Sequence, residues 1–260
     1  MSDLFSIAGK TALVTGGSRG IGLMIARGFV EAGAKVYISS RKADVCEKVA
    51  AELSGTSSAQ GGTCQALPAN LSTEAECHRL ADEIGEREQS LDILVNNAGA
   101  TWGAPLEEYD EAAWERVLAL NVKGVYHLTK FLVPLLEAAG TEDDPARVIN
   151  IGSIDGLRPP MAETYAYSSS KAAVHMLTRH LAHRLAPRIT VNAIAPGPFE
   201  SKMMAATLEA FGDQIVALAP LKRIGRPDDM AGSALFLTSR AGAYVTGAIL
   251  PVDGGISLAG

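Results

Sequence analysis

The sequence predicts an α/β fold, a doubly wound, mostly or wholly parallel seven-stranded sheet with helices on both faces. Short β-branched runs alternate with stretches of helical periodicity along the whole chain, the pattern of parallel strands joined by helical crossovers. A glycine-rich turn, Thr15-Gly16-Gly17-Ser18-Arg19-Gly20-Ile21-Gly22, separates the first strand from the first helix. The chain has 260 residues, 47% apolar and 20% charged, enough material for one large core.

The elements follow in order. Lys10 to Thr15 reads as a strand and Ile21 to Ala32 as a helix ending at Gly33. Lys35 to Ser39 is the second strand. Asp44 to Leu53 is a helix, followed by a Ser- and Gly-rich loop from Ser54 to Gly62. Thr63 to Leu67 is the third strand, Ser72 to Glu88 a charged amphipathic helix, and Leu91 to Val95 the fourth strand. A long helix is expected from Glu111 to about Ala138. Arg147 to Ile151 is the fifth strand, with a helix after it running through Leu181. Ile189 to Ile194, a helix from Pro227 to Leu237, and a last strand from Ala248 to Val252 complete the set. Gly197 to Gly225 stands outside the alternation and reads as a lid within a single domain spanning 1–260.

A net charge of −6 argues against a general nucleic-acid or anionic-membrane binder. Cys46, Cys64 and Cys77 form no Cys-x-x-Cys and read as free thiols in a reducing compartment. No signal peptide or membrane span is visible, so a soluble cytoplasmic protein is expected. His175, His180 and His183 share a helix but lack a His-Glu-x-x-His pattern. They read as interface or surface residues, and no metal site is expected.

Glycines at positions 16, 20 and 22 permit a tight turn and let backbone N–H groups approach a pyrophosphate at a helix N-terminus. Gly16, Ser18, Arg19, Gly20, Ile21 and Gly22 are therefore cofactor candidates. The spacing is Gly-x-x-x-Gly-x-Gly, a variant of the dinucleotide fingerprint. An NAD binder usually ends its second strand with an acid for the ribose 2′-hydroxyl. Here that strand ends Ile38-Ser39-Ser40-Arg41-Lys42. Ser40, Arg41 and Arg19 suit a 2′-phosphate, so NADP(H) is the expected cofactor. Asn97, Ala98 and Gly99 follow the fourth strand and are expected to border the same site. Asn70 and Leu71, after the third, are placed to border an adenine.

Tyr167 and Lys171 are four residues apart in Ala166-Tyr167-Ser168-Ser169-Ser170-Lys171, which puts both on one helix face. A phenol is a poor acid or base near neutral pH. A fixed cation beside it favours the phenolate and lowers its pKa. Asn121 lies among apolar neighbours in its helix, where a kink or a bound water is expected. Ser153 ends the fifth strand and either donates to a substrate oxygen or caps the turn.

Taken together, these residues resemble the short-chain dehydrogenase/reductase superfamily over nearly the whole chain, Thr11 to about Gly255. The glycine turn, Asn96-Asn97-Ala98-Gly99, Asn121, Ser153, Tyr167-x-x-x-Lys171, Asn192-Ala193-Ile194-Ala195-Pro196-Gly197 and Asp253-Gly254-Gly255 occur in the family's order. The chain looks most like its 3-oxoacyl-(acyl carrier protein) reductase-like members, and within those the rhamnolipid-associated β-ketoacyl reductases. The resemblance implies a Rossmann fold and a catalytic tetrad of Asn121, Ser153, Tyr167 and Lys171. In it Tyr167 exchanges the proton, Lys171 tunes Tyr167 and holds the nicotinamide ribose, Ser153 polarises the carbonyl, and Asn121 anchors a water. It further implies that Pro196, Gly197 and Ser201 border the nicotinamide, that Ile194 packs on its ring, and that the protein is a homotetramer or homodimer. The Ser153–Tyr167 interval is one residue longer than the family's usual one. Tyr165 is a rival phenol, but its i+4 partner is Ser169.

The lid offers Phe199, Met203 and Met204, with Trp102 on another loop, as substrate-binding candidates beside Ser153. A moderately hydrophobic ketone or a 3-oxoacyl thioester is expected. A sugar or polyol dehydrogenase is the alternative among enzymes, and a cofactor-sensing protein with a dead site the alternative outside them. Trp114, Val117, Leu128, Phe131, Leu132, Met176 and Leu177 are expected to offer surplus apolar surface for pairing subunits.

Overall fold

The computed structural model describes residues 4–55, 61–160, 162–201 and 204–258. Seven strands form one sheet: β1 (Thr11–Thr15), β2 (Lys35–Ser39), β3 (Thr63–Ala66), β4 (Ile93–Asn96), β5 (Ala146–Ile151), β6 (Ile189–Pro196) and β7 (Ile249–Val252). The order is β3-β2-β1-β4-β5-β6-β7, and every pairing is parallel. The strand order reverses between β1 and β4. At such a switch point the flanking crossovers leave to opposite faces and open a crevice at the carboxyl ends of the strands.

Both faces of the sheet are buried because successive side chains point opposite ways. Ala12 and Val14 of β1 join one core with Ile25 and Phe29 of α1 (Gly20–Glu31), Cys46 of α2 (Ala43–Gly55), and residues further along the chain. Leu13, between them, joins the other core, with Leu80 of α3 (Glu74–Arg87). That second core also takes Leu128, Leu132 and Leu136 of α5 (Val125–Ala139), the continuation of α4 (Glu111–Leu118). α6 (Tyr165–Leu185) follows β5, α7 (Ala205–Leu218) lies within the expected lid, and α8 (Pro227–Thr238) packs on α1, with Ala231 against Gly28.

The long helix expected from Glu111 is one continuous helical run with a π-helical turn, Ala119–Gly124, at its middle. Asn121 sits in that turn. A π-bulge costs regular i→i−4 bonds and recurs at functional sites. The kink expected at Asn121 is this turn.

The apolar surface assigned to subunit pairing needs correction. Val117, Leu128 and Leu132 are fully buried within this one chain, closing its own core. The helical period shows that they share a stripe, not which surface covers it. Met176 is half exposed, and Trp114, Phe131 and Leu177 are partly exposed. Among the described residues, no helix is long and apolar enough to cross a membrane.

Candidate active site

The site assembles where β1, β4 and β5 end. Thr15, the last residue of β1, binds the strand beside it: its Oγ1 donates to the Val95 carbonyl (3.2 Å) and accepts from the Asn97 and Ala98 N–H groups (2.9 and 3.0 Å). Asn97 Nδ2 donates to the Thr15 carbonyl (2.8 Å). These bonds hold the Asn97–Gly99 loop against the glycine turn. A Cβ at Gly16 would come within 2.5 Å of Asn97 Nδ2, and one at Gly22 within 2.4 Å. Only glycine allows that approach, and Gly16 also has φ +65°.

This cradle fits a dinucleotide. α1 starts at Gly20, so its unpaired N–H groups face the turn. Ser40 Oγ is buried with the Cys46 thiol as its polar contact, a weak partner that a phosphate oxygen would better, and Arg41 next to it and Arg19 in the glycine turn are exposed. Ser201 lies over the turn, its Cβ 3.3 Å from where a Gly20 Cβ would stand. Pro196 ends β6, and Gly197 donates to the Val252 carbonyl (3.0 Å) with no room for a side chain against Asp253. Leu71 is buried; Asn70 is exposed, its Oδ1 accepting from Ser72 Oγ (3.0 Å).

The four tetrad candidates converge beside this cradle. Asn121 Nδ2 donates to the Ala100 carbonyl and to Ser170 Oγ (both 2.9 Å), and its Oδ1 accepts from the Ala100 N–H (2.8 Å). Both amide hydrogens are spent, leaving one acceptor position on Oδ1. Lys171 Nζ donates to the Ile151 carbonyl (2.7 Å) and lies 5.5 Å from the Tyr167 ring centroid. Ser153 caps the short turn Ile154–Gly156: its Oγ accepts from the Asp155 N–H (3.1 Å) and is hydrogen-bonded to the Tyr167 phenol. Accepting from Asp155 leaves its one O–H to donate, and it points that hydrogen at the Tyr167 oxygen, where a substrate oxygen would also be met.

The electrostatics depart from expectation. Burial pushes the Tyr167 phenol up to about 12; the bond from Ser153 lowers it and the Asp155 carboxylate raises it. Burial pulls Lys171 down to about 8, with Asp155 opposing. Desolvation is the dominant influence at both groups. Tyr167 is held as a proton-bearing phenol at neutral pH. Asp155 went unread in the sequence; its carboxyl is itself pushed up by burial, against Arg158 and Lys171.

Tyr165, the rival phenol, is spent elsewhere. Its hydroxyl donates to Glu163 Oε1 (2.8 Å) and its ring meets Tyr109 edge-on at 5.2 Å. Sequence reading also missed a buried amide ladder. Asn96 Nδ2 donates to Asn150 Oδ1 (2.9 Å) and Thr129 Oγ1 (3.0 Å), and Asn150 Nδ2 to Thr178 Oγ1 (2.9 Å). The ladder ties β4 to β5, α5 and α6 beneath the tetrad. Its only sequence signal was an Asn at the last position of one apolar strand and the last but one of another.

The substrate candidates separate. Phe199 is 2% exposed, and its ring leaves no room for a Cβ at Gly225. It is a correction: Phe199 closes the base of the lid rather than facing a substrate. Ile194 is likewise fully buried in the core. Trp102 is 39% exposed at the mouth and stacks under the Arg116 guanidinium at 5.1 Å. Met204 is partly exposed just before α7, and Met203 lies outside the described residues. His175 is a second correction: it is buried, whereas His180 and His183 are exposed.

A dinucleotide cradle at the switch point, with a Tyr-x-x-x-Lys face and a serine hydroxyl beside it, defines a class of nicotinamide oxidoreductase. The chain belongs to the short-chain dehydrogenase/reductase superfamily. Residues 16–257 match the family model described as enoyl-(acyl carrier protein) reductase. The chain is 49% identical to the rhamnolipids biosynthesis 3-oxoacyl-[acyl-carrier-protein] reductase of Pseudomonas aeruginosa, covering 99% of this chain and 100% of that one. It is 37% identical to the galactitol 2-dehydrogenase (L-tagatose-forming) of Cereibacter sphaeroides, covering 98% of each. The structure superposes on the Pseudomonas aeruginosa RhlG/NADP active-site complex with a TM-score of 0.92 at 49% identity, covering 99% and 100% of the two chains.

Proposed function

We propose that this protein is an NADP(H)-dependent ketoreductase that interconverts a ketone, a 3-oxoacyl thioester in the first instance, and its secondary alcohol. The observation that carries the reading is the convergence of Ser153, Tyr167 and Lys171 beside a glycine cradle in which Asn97 closes on Gly16 and Gly22. The bound nicotinamide supplies or accepts the hydride. Ser153 Oγ donates a hydrogen bond to the substrate carbonyl oxygen, where negative charge develops. The Tyr167 hydroxyl passes its proton to that same oxygen as the oxygen becomes basic. Lys171 stabilises the phenolate left behind and holds the nicotinamide ribose. Asn121 keeps Ala100 and Ser170 in place, and its free Oδ1 lone pair anchors the water that refills Tyr167.

Ser40, Arg41 and Arg19 hold the 2′-phosphate, which selects NADP(H) over NAD(H). The 49% identical 3-oxoacyl reductase favours an acyl thioester. The galactitol dehydrogenase relative supports a sugar or polyol as the second reading. We place the protein in the cytoplasm as a homotetramer or homodimer. Met176 on α6, and Tyr244 and Leu258 flanking the edge strand β7, support pairing of copies.

Purified protein assayed with NADPH and NADH against 3-oxoacyl thioesters and keto-sugars tests the reading. NADPH-linked reduction of a 3-oxoacyl thioester is expected, and turnover of keto-sugars alone would move the assignment to the second reading. Arg41→Asp is expected to weaken NADPH by about 10–100-fold while changing NADH little, the value of a charged hydrogen bond. Equal losses would refute the 2′-phosphate assignment.

A further inference from the structure

His175 is a buried titratable group that the mechanism above does not use. It stands one helical turn beyond Lys171 on α6 and is 5% exposed. Both ring nitrogens are buried, and the polar group the ring meets is the backbone of Gly156. A buried imidazole with so few polar partners costs free energy, so the ring is expected to serve a purpose. Its surroundings supply one. A Cβ at Gly152 would stand 2.2 Å from His175 Nε2, and one at Gly156 would stand 2.9 Å from Cε1. The same Gly156 Cβ would be 2.7 Å from the Lys171 carbonyl carbon and the Ala172 nitrogen. The imidazole thus fills the notch between α6 and both ends of the segment that carries Ser153 and Asp155.

We propose that His175 is a positioning residue, a neutral wedge that sets the depth at which the Gly152–Gly156 turn rests on α6 and so the reach of Ser153. The proposal rests on the ketoreductase reading. Three features fit the wedge. A five-membered ring is thin enough to lie under two glycines, and a six-membered ring would lift the turn. Burial and the neighbouring Lys171 and Arg179 charges keep the ring uncharged, with a pKa near 4, so it stays a spacer across working pH. The turn itself is short, held by the bond from the Gly156 N–H to the Ser153 carbonyl (3.0 Å), so a shift at either glycine is passed to Ser153.

Two glycine contacts make the idea testable by a double-mutant cycle in the full-length protein. His175→Ala is expected to lower kcat by about 10-fold or more, since small misplacements of a reacting group are costly. NADPH affinity, read by quenching of protein fluorescence, and substrate KM should stay within about 2-fold, because Ser153 acts on the transition state. Gly152→Ala should be worse, since its new methyl collides with the ring. In Gly152→Ala/His175→Ala the methyl enters the vacated notch, and kcat should recover by about 10-fold over Gly152→Ala. Strictly additive losses would overturn the wedge, as would a fall in NADPH affinity that matches the fall in kcat. If His175→Ala does not fold, His175→Asn takes its place in the cycle with the same expectations. Tyr167→Phe runs alongside: full activity there would sink the ketoreductase reading itself, whereas additivity with an inactive Tyr167→Phe would sink the wedge alone.

Discussion

The tetrad corner and the lid sit on the same end of the sheet and are built in opposite ways. Asn121, Ser153 and Lys171 are each no more than 6% exposed, and each is tied to backbone groups of neighbouring elements. The lid helix α7 has no fully buried side chain among those described, and its Phe211 is 50% exposed. Among the described residues the lid is anchored at its base, through Phe199 beside Gly225, Arg223 with Asp229, and the Leu221 N–H to the Gly254 carbonyl. Positions that must hold a reacting atom are over-determined by hydrogen bonds. The lid helix has few buried contacts, and such segments open and adapt most readily.

Substitutions can break that contrast. The largest effect is expected at the anchor. Phe199→Ala should cost about 3–5 kcal/mol in chemical denaturation, the range for removing a buried aromatic ring. A loss under about 1 kcal/mol would mean that the lid base is as loose as its helix. Next is the corner itself. Ser153→Ala should lower kcat by about 10²–10³-fold with little change in stability, because it removes a donor to the developing oxyanion. A change confined to KM would reassign Ser153 to binding or to capping alone.

The third effect is on stability against pH. His175 takes up a proton below about 6.5 when unfolded but only near 4 when folded. Between those values the unfolded state binds more protons, so stability falls as pH falls, by up to roughly 3 kcal/mol. Urea melts of the wild type and His175→Gln between pH 7 and about 4.5 should show a shallower slope for the variant. Parallel slopes would mean that the imidazole is solvated. The smallest effect belongs to the lid surface. Phe211→Ser should change stability by less than about 0.5 kcal/mol while altering KM across a substrate series. A large destabilisation there would erase the distinction between helix and anchor.

The contrast also explains what the sequence made legible. Strand and helix alternation is local, so the sheet and its element order could be read from the chain. The glycine turn and Tyr167–Lys171 could be read because each lies on one short segment with its own geometry. What depends on distant contacts was not legible. Asn96, Asn150 and Thr178 meet across two strands and a helix, and no spacing announces them. Phe199 looked like a lid residue because a hydrophobe in a loop gives no sign of whether it faces a ligand or Gly225. His175 looked like a surface residue because helical periodicity does not reveal a notch made by two glycines on another segment. The electrostatics at Tyr167 were half legible for a similar reason. The charge neighbour is visible in sequence and the desolvation is not.

The central claim is that the Tyr167 hydroxyl delivers the proton to the substrate oxygen. Single-turnover oxidation of bound NADPH in Tyr167→Phe tests it most directly, with the ketone that the wild type reduces. The account predicts NADPH binding within about 2-fold of wild type and a chemical step slower by about 10²–10⁴-fold. A wild-type rate in the phenylalanine variant would contradict it.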